Sequence, residues 1–197
     1  IIARMQSLEY DRSFLAARIL LDKINANMII SGAFGLFEKK TVIAVGGYDN
    51  STMGEDMELV VRLHEFSRMN RKPYKIDFAQ DAICWSQTPE KLSELGKQRK
   101  RWQRGLFQCM WGHHKMLANP RYGAVGLLSY LYFLLYELLS PFIELLGVLT
   151  MVLSVMMDML NVKFMLVFLA FYAMYGILLT LTAYFSRIYA IDQRLSF

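Results

Sequence analysis

The sequence predicts the later half of an α/β domain, followed by an interfacial helix and transmembrane α-helices. Short apolar runs alternate with helix-period segments up to residue 121. Across 125–185 the ionisable side chains other than tyrosine thin to Glu137, Glu144, Asp158 and Lys163. A basic cluster, Lys97, Arg99, Lys100, Arg101 and Arg104, stands just ahead of that apolar region. The expected division is 1–121 for the cytosolic domain part and 122–197 for the membrane region.

The elements follow in chain order. Tyr10, Phe14, Ala17, Leu21 and Ile24 recur at three and four residues, which predicts an amphipathic packing helix ending near Asn25 to Asn27. Met28 to Phe37, apolar but broken by Ser31-Gly32 and Gly35, reads as a buried strand where small residues admit a backbone or ligand. Gly46-Gly47 marks a turn, and Gly54-Glu55-Asp56 opens a helix through about Arg68. Lys75 to Ala79 and Ala82 to Trp85 read as two short strands. Thr88-Pro89 then predicts a helix start, with the helix running from Pro89 to about Trp111.

The apolar run 125–160 exceeds the about 20 residues that one span needs and breaks at Pro141. It divides into an interfacial or oblique helix over 125–139 and a span over 142–157, with a return span over 162–185. Two crossings keep Arg187 and Arg194 on the side of the basic cluster, which places 1–121 and the tail in the cytosol and the turn at Asp158 to Asn161 opposite.

Composition narrows the function. Of 197 residues 55% are hydrophobic, and the net charge of +5 is concentrated beside the membrane region, so headgroups explain it better than nucleic acid. The first residues carry neither Met nor a signal pattern, which leads to the expectation of a start inside a longer reading frame. Cys84 and Cys109 make no CxxC or Cys/His pattern, so neither a zinc site nor a disulfide framework is expected. His113 and His114 lack metal-ligand spacing and read as solvated residues near headgroups. His64 receives no role.

Two patterns carry chemistry. Gln98, Arg101, Trp102 and Gly105 fall at i, i+3, i+4 and i+7, one face of a helix. Such a face offers an amide for a hydroxyl, a planar cation for a diphosphate and an aromatic plate for a sugar, beside a gap left by glycine. Alternatively Trp102 packs in a core and Arg101 reaches headgroups. Glu55 and Asp56 follow Gly54 at a helix start, where carboxylates usually act as caps; the functional alternative is a general base toward an acceptor hydroxyl.

These patterns occur together with Ser31-Gly32-Ala33-Phe34-Gly35, Gly46-Gly47-Tyr48, Gly54-Glu55-Asp56-Met57-Glu58-Leu59, Trp85-Ser86-Gln87-Thr88-Pro89 and Gln98-Arg99-Lys100-Arg101-Trp102. In order and spacing the set resembles the family-2 glycosyltransferases, the last motif being that family's QxxRW. The resemblance covers about residues 6–121 and points to the branch of cellulose, hyaluronan, chitin-oligosaccharide and poly-N-acetylglucosamine synthases. It implies the later half of a GT-A type nucleotide-sugar transferase domain. It implies Asp56 as catalytic base with Glu55 beside it, Gln98, Arg101 and Trp102 holding acceptor end and diphosphate, and Ser31, Gly32 and Ala33 in the acceptor pocket.

The resemblance further implies a nucleotide diphosphate sugar, commonly a UDP-sugar, a glycan acceptor, and a divalent metal (Mg or Mn) whose ligands lie upstream. No DxD occurs in the sequence, so no metal ligand is assigned here and this chain alone is expected to be an incomplete enzyme. Glu137, Pro141 and Glu144 resemble the branch's carboxylates around a proline. They read either as a polar path for the glycan or as an interfacial helix reaching water. The expected function is inverting transfer to a growing β-linked polysaccharide at the cell membrane. The alternatives are a non-processive transferase acting on a lipid acceptor and a non-catalytic membrane scaffold.

Overall fold

The computed structural model describes residues 2–13, 18–79, 82, 84 and 86–195. Its helices are α1 (Ile2–Arg12), α2 (Ile19–Lys23), α3 (Lys39–Ala44), α4 (Glu55–Met69), α5 (Leu92–Gly112), α6 (Val125–Leu138), α7 (Ser140–Met156) and α8 (Val162–Leu195). The amphipathic segment expected before Asn25 is present as α1 and α2, and Phe14 and Ala17 lie outside the described residues. Asn25 stops it at φ 50°, a left-handed conformation that asparagine tolerates.

α4 is central. Met57 and Val61 face Cys109, Met110, Val125 and Tyr130, while Leu59, Val60 and Leu63 face Ile76, Ile30, Phe37, Val42 and Val45. Gly54 begins the helix, and Glu55, Asp56 and Glu58 occupy its first turn, where the amide dipoles favour negative charge. Arg62 donates to the carbonyls of Val45 (2.7 Å) and Gly47 (2.6 Å) and pairs with Glu58 at 2.7 Å. That clamp holds the Gly46-Gly47 turn, whose φ values of 93° and 77° suit glycine alone.

No strand forms among the described residues, which corrects the expectation for 28–37 and 75–79; 80, 81, 83 and 85 lie outside them. These segments lack a ladder partner there, and side chains take up backbone groups in them and just before them instead. Ser129 Oγ donates to Ala26 O at 2.6 Å. Asn25 donates to Tyr74 O (3.0 Å) and accepts from Ile76 N (2.9 Å), and Asp22 accepts from Phe78 N at 2.8 Å. A second correction concerns α5, which starts at Leu92 rather than Pro89. Gln6 Nε2 donates to Pro89 O at 2.8 Å and holds that carbonyl outside the helix.

His64 is fully buried, its Nε2 lying 2.7 Å from Asn27 O and its Nδ1 2.6 Å from the Tyr74 hydroxyl. The carbonyl can only accept, so Nε2 carries the proton and Tyr74 donates to Nδ1. Burial foremost, assisted by Arg68, lowers the His64 pKa to about 4 against the Asn27 hydrogen bond. The unfolded chain therefore binds the extra proton first as pH falls from 6.5, so stability drops between there and about 4 and levels off below. Denaturant unfolding at stepped pH should show a loss of about 3 kcal/mol across that window. A His64→Asn variant without this slope would confirm its source, whereas an unchanged slope would exclude it.

α6, the helix expected to be interfacial or oblique, packs one face on protein. Val125, Gly126, Ser129, Tyr130, Phe133 and Leu138 are buried against α5 and the 26–28 segment. The Tyr130 hydroxyl donates to Met110 O, and Gln103 donates to Leu138 O at 2.9 Å. A Cβ on Gly126 would lie 2.6 Å from Met116 O, so the close approach requires glycine. Leu127, Leu128, Leu135 and Tyr136 remain exposed.

The chain bends by 50° between α6 and α7, at Pro141 as expected. No residue of α7 is buried. Within α8, Val162–Phe185 is long and apolar enough to cross a membrane, and the bent pair Val125–Leu138 plus Ser140–Met156 passes the same test only if taken together. Asn161 begins α8 by accepting from Phe164 N at 3.0 Å. α8 packs along α1, with Arg12 beside Ala173, Gly176 and Ile177.

Candidate active site

The start of α4 meets the middle of α5 backbone to backbone. A Cβ on Gly105 would stand 2.7 Å from Gly54 N and 2.8 Å from its Cα. The gap expected beside Trp102 is therefore filled by the chain itself, which brings the carboxylate turn onto the helix of Gln98, Arg101 and Trp102. Met53 N donates to Gln108 Oε1 at 2.9 Å and fixes the approach on its other side.

Asp56 then reaches the loop of the expected acceptor residues. Its Oδ2 accepts from Gly32 N at 3.0 Å and its Oδ1 from Met57 N at 2.8 Å. Phe34 N donates to Ser31 O at 3.0 Å, closing a turn that aims the Gly32 amide at the carboxylate. A Cβ on Gly32 would lie 3.5 Å from Asp56 Oδ2, ordinary contact distance. Asp56 is half-buried, whereas Glu55, Gly32 and Ala33 are exposed. Burial foremost, with Glu58 and Asp56 adding to it, pushes the thiol of Cys109 beneath this site up to about 12.

On α5, Trp102 is 40% exposed rather than sunk in a core. The Arg99 guanidinium lies 4.7 Å from its ring centroid, and Tyr10 is tilted at 6.3 Å. Glu9 holds Arg99 bidentately at 2.8 and 2.5 Å. Gln98 Oε1 is buried without a protein donor, a cost of about 1–3 kcal/mol unless something donates to it. Arg101 is exposed.

Arg18 was not foreseen. Burial lowers its pKa to about 10, while the carboxylates of Asp56 and Glu137 oppose the shift, so a cation lies within electrostatic reach of both. The helical period around it announced only packing. Gln6 and Glu9, which tie α1 to α5 and to the segment just before it, were equally silent because their partners Pro89 and Arg99 lie more than 80 residues on.

His113 is also corrected. Its Nδ1 is 2.7 Å from Glu65 and its Nε2 3.4 Å from Glu58, so it braces α5 against α4 rather than facing headgroups. Glu137 and Glu144 do not share a helical face, because the 50° bend separates them and Ser140 engages Glu144 at 2.9 Å. Among the described residues no three His, Cys, Asp or Glu side chains converge to hold an ion.

The structure thus brings Asp56, the Gly32 turn and the helix of Gln98, Arg101 and Trp102 together, as the resemblance led one to expect of neighbouring residues. Residues 1–191 match the family model for glycosyl transferase family group 2, and the chain belongs to that family. Curated relatives include the poly-beta-1,6-N-acetyl-D-glucosamine synthase of Staphylococcus aureus (strain COL), 32% identical over 119 residues, which is 60% of this chain and 26% of the relative. The Staphylococcus epidermidis synthase of the same description is 31% identical over the same shares. The chain thus spans about a quarter (26%) of the length of these relatives. No solved structure matches it.

Proposed function

We propose that this chain forms the acceptor side of a membrane-bound inverting glycosyltransferase extending a β-linked polysaccharide from a UDP-sugar. The observation that carries this reading is the Asp56 carboxylate, oriented by the Gly32 amide at 3.0 Å and locked to the QxxRW helix through Gly54 and Gly105. Asp56 takes the proton of the acceptor hydroxyl as that oxygen attacks the anomeric carbon from the face opposite the diphosphate. The new glycosidic bond forms as the bond to the diphosphate oxygen breaks, and the departing anion meets the Arg101 guanidinium. Trp102 offers its exposed ring to the terminal sugar, and Gln98 Oε1 accepts from one of its hydroxyls.

The relatives' description favours N-acetylglucosamine as the transferred sugar. Membranes carrying the full-length protein should build polymer-sized product from labelled UDP-N-acetylglucosamine. Product extended by a single sugar would favour the lipid-acceptor reading, and the absence of transfer from any UDP-sugar would refute the proposal.

The apolar, unburied surfaces of α7 and α8 support a multi-pass cell-membrane location, with 1–121 cytosolic and the turn near Asn161 opposite. An impermeant thiol reagent should reach Cys84, which is exposed, and an Asn161→Cys variant from opposite sides of sealed vesicles. Labelling of both from one side would exclude two crossings.

A further inference from the structure

The end of α4 remote from Asp56 borders a second concavity. α4 is 15 residues long, which at about 1.5 Å per residue separates the two ends by about 20 Å. The cleft has a volume of about 700 Å³, and Asn25, Arg68, Arg71, Lys72, Tyr74 and Arg121 line it. Its walls carry four cations and no carboxylate. Like charges gathered in one hollow repel one another, a cost that a bound anion offsets.

The hollow is held open by specific contacts. Asn25, at φ 50°, clamps the wall at Tyr74 and Ile76 through both ends of its amide. Arg71, at φ 52°, turns the chain sharply out of α4. Arg68 Nε donates to the Tyr74 hydroxyl at 2.9 Å and its guanidinium lies 5.3 Å from the Tyr74 ring centroid, which fixes its fork. A Cβ on Gly123 would stand 3.3 Å from that guanidinium, so glycine leaves the fork its space. Lys72 rests 4.9 Å from the Phe66 ring centroid.

We propose that this cleft binds a phosphate-bearing anion, with the planar forks of Arg68 and Arg121 gripping the phosphate and Arg71 and Lys72 closing the charge around it. Arginine matches phosphate oxygens in pairs, lysine adds a point charge, and the volume accommodates a phosphate with its substituent. Two sources supply this chemistry, an anionic phospholipid headgroup and a soluble phosphate ester. The site is independent of the acceptor-side reading, because it shares none of the residues proposed for transfer.

The test uses the full-length protein, with thermal unfolding as readout. One arm titrates inorganic pyrophosphate in detergent. The other compares phosphatidylcholine nanodiscs with nanodiscs containing a fifth phosphatidylglycerol. At least one probe should raise the midpoint, because a ligand of the native state alone stabilises it. A response to pyrophosphate alone assigns a soluble ester, and a response to phosphatidylglycerol assigns a headgroup.

In the triple variant Arg71→Gln, Lys72→Gln, Arg121→Gln the response should need roughly a thousandfold more probe, since each of the three charged contacts to an anion is worth about tenfold. Arg101→Gln, at the proposed diphosphate site, should leave it unchanged. If the triple variant does not fold, Arg71→Gln and Arg121→Gln alone should each weaken the response several-fold. The proposal is overturned if neither probe stabilises the parental protein, if the cleft variants respond as it does, or if Arg101→Gln alone abolishes the effect.

Discussion

Asp56→Asn should fold, retain nucleotide-sugar binding and lose transfer by about 10²- to 10⁴-fold, the usual worth of general-base assistance. The substitution suits this site because an asparagine oxygen can still accept from Gly32 N or Met57 N. The brace between loop and helix is kept when that oxygen faces Gly32 N, with the amide NH2 then turned toward Met57 N, while the group able to take a proton is lost. Glu55→Gln, at an exposed side chain, should be much milder. Measuring donor affinity, unfolding and initial rate on the same preparation separates the cases. A folded, donor-binding Asp56→Asn enzyme with a near-parental rate would remove Asp56 from the mechanism and favour the scaffold reading.

Gly105→Ala should be the most damaging single-methyl change on α5. Its Cβ would meet Gly54 backbone atoms at 2.7 and 2.8 Å, and backbone cannot swing aside as a side chain can. Overpacking of this kind costs about 1–3 kcal/mol. The larger effect should be catalytic, because pushing the α4 turn by about 1 Å can cost about 10²-fold in rate. Gly96→Ala is the matched control on the same helix, with nothing within 4 Å of its Cβ. It should stabilise by up to about 1 kcal/mol through helix propensity. Equal behaviour of the two variants in chemical denaturation and rate would contradict the contact.

Where a residue's own chemistry sets the local conformation, the structure was legible in the sequence. The paired glycines at 46 and 47, the acidic turn after Gly54 and the break at Pro141 all lie where expected. Conformations that depend on a distant partner were not. An apolar run such as 28–37 announces an extended, buried segment, but a strand needs a neighbour, and among the described residues Gly32 N meets the Asp56 carboxylate instead, as the carbonyls of Ala26 and Asn27 just before the run meet Ser129 and His64. Gly105 signalled a close approach without saying by what, and a sugar seemed as reasonable as a backbone. Uniform hydrophobicity likewise hid which face of α6 meets protein, a choice marked only by Gly126, Ser129 and Tyr130.

The docking of α6 also bears on how the molecule can be divided for study. Val125, Tyr130, Phe133 and Leu138 belong to the same core as Met28, Met57 and Cys109, and Ser129 ties α6 to a carbonyl 103 residues away. A polypeptide ended at residue 121 would leave Met110 and Met116 facing water and the Ala26 carbonyl without its donor. The natural place to sever it is the bend after Leu138, where the helix is already interrupted and the wholly exposed α7 begins. A version trimmed there keeps the floor beneath Asp56, and leaves Leu127, Leu128, Leu135, Tyr136 and the face of α1 that met α8 as the apolar surfaces to be made polar.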